Sequence, residues 1–67
     1  MLPHQQRVID EKKQLDEKLA KLYSFLATDG FRALDRSEQG RLTSQYVVMG
    51  EYSEILDDRI KAFSEAT

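Results

Sequence analysis

Residues 8–26 read VIDEKKQLDEKLAKLYSFL, and this stretch decides the fold. Val8, Leu15, Leu19, Leu22 and Leu26 fall at alternating steps of four and three, the spacing of an apolar seam along one face of an α-helix. From Gln5 to Lys21 nearly every residue is a good helix former. Asp10 and Glu11 with Lys13 and Gln14, then Asp16 and Glu17 with Lys21, add i,i+3 and i,i+4 support. Pro3 suits a first turn, where its missing N–H is not needed. The pattern predicts a first helix from about Pro3 to Ala27. One seam position is occupied by Lys12, and a cation there costs stability unless something pairs with it.

Beyond the seam, Thr28-Asp29-Gly30 reads as a stop, with Gly30 available for a left-handed cap. Phe31 and Leu34 are placed to close the end of a hairpin. Asp35-Arg36-Ser37-Glu38 opens a second helix. Either Asp35 caps it with Glu38 reaching back, or Ser37 is itself the cap. That helix is expected to extend to Phe63 or Ser64. Leu42, Tyr46, Met49, Leu56, Ile60 and Phe63 form one face of it, and Val48, Tyr52 and Ile55 widen the face to one side. Gly40 and Gly50 lie within it, each weakening it by about 1 kcal/mol relative to Ala. Gly50 is either a tolerated glycine on an exposed face or a point of close approach by another backbone. Arg59 is the second cation set among apolar positions.

These elements predict an all-α protein, an antiparallel hairpin of two long helices making one domain over residues 1–67. A break near the start of the first helix is compatible with the pattern. Antiparallel register puts Leu26 near Leu42, Leu19 near Met49 and Val8 near Ile60, so that Lys12 and Arg59 fall within about one turn of the same level. With 67 residues and no cysteine, neither a large core nor a disulfide framework is on offer. The first helix has a narrower apolar stripe than the second, so the side face of the second lacks an intrachain partner. Assembly into a helical oligomer is the expected remedy.

Charge narrows the function. The chain is 33% charged with a net charge of −2, a weak field that argues against a general DNA or RNA binder. Residues 1–41 carry eight Lys/Arg against seven Asp/Glu, and residues 42–67 two against five, so the first helix and the connection are the better host for an anion. No apolar run is long enough for a membrane span, and Met1-Leu2-Pro3-His4 does not open a signal peptide; a soluble intracellular domain is expected. His4 is the only histidine and has no nucleophile at recognisable spacing. No catalytic residue, metal site or cofactor is therefore expected, and Asp57-Asp58 reads as a polar face. Two readings of the cations are open. Glu11, Asp16, Asp57 or Asp58 neutralises them, or they hold an anion at a subunit junction, with Arg59 as a bidentate phosphate ligand and Tyr52 or Tyr23 offering a stacking face.

The run His4-Gln5-Gln6-Arg7-Val8-Ile9-Asp10-Glu11-Lys12, the following Leu15-Asp16-x-Lys18-Leu19-x-x-Leu22-x-x-Phe25-Leu26, and above all Met49-x-x-Tyr52-x-x-Ile55-Leu56-x-x-Arg59-Ile60-x-x-Phe63 resemble the phage anti-CBASS cyclic-oligonucleotide sponges. The likeness spans nearly the whole chain. It implies small helical proteins that assemble into compact oligomers, commonly hexamers. They sequester cyclic dinucleotides, and in some members cyclic trinucleotides, between protomers without cleaving them. The site of action so implied is the cytoplasm of the infected bacterial host, where removal of the messenger leaves the immune effector inactive. Arg59 matches the family's arginine of the second long helix, implying contact with phosphates. Lys12 stands where the family has a stacking aromatic, and Thr28 matches a polar ligand residue after the first helix, although the family's lysine there is missing. Arg7 and Tyr52 complete the candidate ligand set. The alternative is a small phage structural or regulatory module that docks its apolar helix face on a host protein.

Overall fold

The computed structural model describes residues 1–65; the last two residues of the expected domain lie outside that range. Helix α1 spans Pro3–Leu26, a short α2 spans Asp29–Arg32, and α3 spans Arg36–Glu65. The expected all-α hairpin is the fold observed. Pro3 takes the first helical position, and the Gln5 side chain accepts from the Leu2 N–H at 3.0 Å, which satisfies one donor that the helix start leaves open. Helix α1 runs without the break that its first turns allowed.

The connection differs from the sequence reading. Gly30 was expected to cap α1 in the left-handed region, yet no glycine among the described residues has positive φ. Ala27 ends α1 at φ −93°, ψ 3°, and Thr28 turns extended at φ −95°, ψ 161° to start α2. The Thr28 hydroxyl oxygen accepts from Phe31 N at 3.2 Å while its proton goes to Phe25 O at 2.6 Å. A threonine that can both end one helix and cap the next makes the left-handed glycine unnecessary. Gly30 instead lies under the Phe25 ring, 3.4 Å from where a Cβ would stand. Phe25 and Phe31 meet edge to face at 6.1 Å, and Leu34 is half-buried. Of the two caps open for the second helix, Asp35 is the one used. Its Oδ1 accepts from Glu38 N at 2.7 Å, and Glu38 turns away to Arg41 at 2.7 Å.

Cross-helix bonds fix the antiparallel register. Lys12 and Asp16 of α1 reach Ser53 of α3, and the Tyr23 and Tyr46 rings lie 5.8 Å apart. These pairings match the alignment of Val8 with Ile60 and Leu19 with Met49 to within a turn. The molecule is a rod of 49 × 15 × 14 Å with a radius of gyration of 15.2 Å, against about 11 Å for a globule of this length. Its core is correspondingly thin. Among the described residues Leu56 is the one fully buried large side chain, and Val8 is 6% exposed. The side face of α3 is open, with Val48 at 62% and Ile55 at 55%. Neither Gly40 nor Gly50 has any atom within 4 Å of a built Cβ, so within one chain no backbone approaches them.

Candidate anion site on the hairpin flanks

The seam cation has its partner inside the chain. Lys12 Nζ lies 2.9 Å from Asp16 Oδ2 and donates to Ser53 Oγ at 2.9 Å, while Ser53 donates to Asp16 Oδ1 at 2.5 Å. The three side chains close a ring across the helix contact. Burial explains why: the Lys12 side chain is 23% exposed and Ser53 is 8% exposed, and polar groups so placed need partners. An ammonium has three donor protons, so one remains for a further acceptor. Asp16 was among the carboxylates within reach of the cations. Ser53 was not foreseen, although its place between Tyr46 and Ile60, seven residues from each, sets it on the stripe that meets α1.

The hydrogen bond from Ser53, followed by that from Lys12, holds the Asp16 carboxyl below its ordinary value, against a smaller opposing effect of burial. A depressed carboxyl contributes stability that is complete above its unfolded value of about 3.9 and fades as pH falls through its lower folded value. Asp16 is nearly half exposed, so solvent screening keeps the contribution small. Asp16→Asn is expected to lower Tm at pH 7 by only a few degrees, since about 1 kcal/mol would shift Tm by 4–8 °C in a domain this size. The decline of Tm below pH 4 should flatten in the variant. Circular-dichroism melts across pH check this; an acid limb identical to wild type would contradict it.

Tyr52 faces the other way. Consecutive helical residues diverge by 100°, so Tyr52 leaves the Ser53 side, and its hydroxyl donates to Glu11 Oε2. That hydrogen bond raises the Tyr52 phenol above its ordinary value, with the Arg59 charge opposing. Arg59 lies two turns after Tyr52 on the same face of α3, exposed and without an ion pair among the described residues. Arg7, one turn before Glu11 on α1, is likewise exposed and unpaired there. The structure thus brings Arg7, Tyr52 and Arg59 to one flank and leaves Lys12 on the other. Lys12 is level with Ser53, its hydrogen-bond partner, six residues or about 9 Å of helix before Arg59, so the two cations differ in level as well as in side.

Thr28 belongs to neither group. It sits at the turn, about 24 Å along α1 from Lys12 at 1.5 Å per residue, with its hydroxyl used in the α2 cap. A ligand touching both Thr28 and Arg59 needs a second chain to bring them together.

On the Lys12 flank an open groove of about 520 Å³ is lined by residues that include Ile9, Lys12, Asp16, Ala20 and Ile60. A second groove, of about 440 Å³, continues along Ala20, Tyr23, Ser24 and Tyr46. Ala20 is small enough to leave this flank hollow. Asp57 pairs with Lys61 at 2.9 Å. Among the described residues no group of three potential metal ligands occurs, and no helix is long and apolar enough to cross a membrane.

Comparison with known families matches residues 2–62 to Sequestin. The chain is also similar to an uncharacterised 7.5 kDa protein from the denB–rIIB intergenic region of Enterobacteria phage T4. The two are 40% identical over 63 residues, which is 94% of this chain and 98% of the relative. No solved structure matches.

Proposed function

The chain belongs to the Sequestin family, and from that premise we propose that it is a phage immune-evasion protein that binds cyclic di- or trinucleotide messengers at junctions between its protomers and holds them uncleaved. The observation that carries this reading is Arg59. A guanidinium left exposed and without a carboxylate, two turns from a tyrosine ring, is suited to a phosphate beside a base. Guanidinium binds phosphate through two parallel charge-assisted hydrogen bonds. A base stacked on an aromatic ring adds about 1–3 kcal/mol whatever its identity. Lys12, on the other flank, would join from a neighbouring protomer through the one ammonium proton that Asp16 and Ser53 leave free. Thr28 would serve a junction at the hairpin turn, and Arg7 the one at the open end.

Assembly is supported by surface area. The chain exposes 5147 Å², whereas a compact monomer of 7.8 kDa exposes about 4,400 Å². The excess, which follows from the rod shape, approaches the roughly 800 Å² per partner of a standard interface, and Val48 and Ile55 are apolar side chains on the open side face of α3. A closed homo-oligomer, with a hexamer as the favoured form, covers that strip, and the infected bacterial cytoplasm is where it would act.

The same strip favours a second reading, in which the protein is a phage regulator docked on a host protein. Thermal denaturation with a panel of cyclic di- and trinucleotides separates the two. A ligand at 100 times its Kd stabilises the folded form by about 2.7 kcal/mol, expected as a rise of roughly 10 °C or more. No shift across the panel, with a monomer in solution, would support docking instead.

A further inference from the structure

Tyr52 is held by the opposite helix. It stands on α3 and is 40% exposed as a residue, but its hydroxyl is fixed by Glu11 on α1. Glu11 has no Lys or Arg partner among the described residues, although Arg7 precedes it by one turn and Arg59 shares the Tyr52 face. One flank therefore carries two unpaired guanidiniums, one aromatic ring, and a single carboxylate that holds the ring.

We propose that Glu11 is a positioning and selectivity residue of the Arg7–Tyr52–Arg59 flank, setting the Tyr52 ring and setting how much negative charge a ligand must bring. This rests on the reading that the flank binds a cyclic oligonucleotide. Glu11 acts on the flank through two parts, a hydrogen bond and a charge. A tyrosine anchored only at Cβ samples several rotamers, whereas one tied at its hydroxyl is pre-organised, which lowers the cost of binding. The Glu11 charge also repels any phosphate drawn by the arginines. A ligand with one phosphate loses much of its attraction to that repulsion. A cyclic ligand with two or three phosphates on a ring can place one at Arg59 and another farther from Glu11.

Glu11→Gln separates the parts, because its amide oxygen still accepts from Tyr52 while the charge is gone. Calorimetric titration at low salt with cyclic di-adenylate should give binding about five-fold tighter than wild type, the effect of removing one like charge at a partly solvated site. Preference for cyclic di-adenylate over cyclic adenosine monophosphate should shrink. Glu11→Ala loses the acceptor as well as the charge and should bind more weakly than Glu11→Gln.

A ligand-free readout accompanies these titrations. Tyrosinate absorbance of wild type should contain a component, from Tyr52, that ionises above the ordinary phenol range, and Glu11→Gln should lower it. Unchanged affinities in both variants, or an unchanged tyrosine titration in Glu11→Gln, overturn the proposal. If the titration shifts as expected but none of the proteins binds a cyclic nucleotide, the ligand reading falls and the selectivity role with it, while the Glu11–Tyr52 tie stands.

Discussion

Leu56→Ala is expected to leave the hairpin largely unfolded at 37 °C. Leu56 is completely buried, and the other buried apolar side chain among the described residues is Val8. Truncating a buried leucine removes its transfer free energy and leaves a cavity, together about 2–5 kcal/mol. A domain of 67 residues has about 3–10 kcal/mol of stability in all. Because about 1 kcal/mol moves Tm by 4–8 °C at this size, the variant should melt at least 10 °C below wild type. Leu56→Met, which nearly conserves volume, should cost less than about 1.5 kcal/mol. Circular-dichroism melts of both variants at one protein concentration test this. A Tm for Leu56→Ala within 3 °C of wild type, a shift under about 1 kcal/mol, would mean that the contact between α1 and α3 is not what holds the fold.

Arg59→Ala is expected to do the reverse, leaving the fold intact and weakening cyclic-nucleotide binding by about 10- to 100-fold. That range corresponds to losing hydrogen bonds to a charged group, about 1.5–3 kcal/mol. Arg59 makes no ion pair among the described residues, and exposed positions of that kind change stability by no more than about 0.5 kcal/mol. Arg59→Lys keeps the charge but not the planar fork and should recover only part of the affinity. Isothermal titration with cyclic di- and tri-adenylate, alongside a melt, reads both effects. Wild-type affinity in Arg59→Ala would remove Arg59 from the site.

The hairpin was legible because one rule, apolar residues every three or four positions, generates it. Val8 through Leu26 and Leu42 through Phe63 each give a single stripe, and matching the stripes sets the register to within a turn. The connection was less legible. Thr28-Asp29-Gly30 is compatible with a glycine cap and with a threonine cap, and the choice depends on whether Phe31 packs back on Phe25, a tertiary contact that local rules do not contain.

Of the candidate site, sequence fixes level better than side. Register brings Lys12 and Arg59 to within two turns of each other, but their sides depend on where each lies around its helix. Lys12 turns to Ser53 and Asp16, while Arg59 follows Tyr52, whose hydroxyl turns to Glu11. The two cations also differ in what surrounds them. Lys12 is sheltered enough to require its own carboxylate; Arg59 stands in water and does not.

Capture without cleavage can be read from equilibrium dialysis of the purified protein against cyclic di- and tri-adenylate, followed by heat denaturation and chromatography of what is released. Saturable retention of at least one of the two ligands is expected, with all the retained ligand recovered as the intact ring. Absence of retention for both, or release of linear nucleotide, would contradict it.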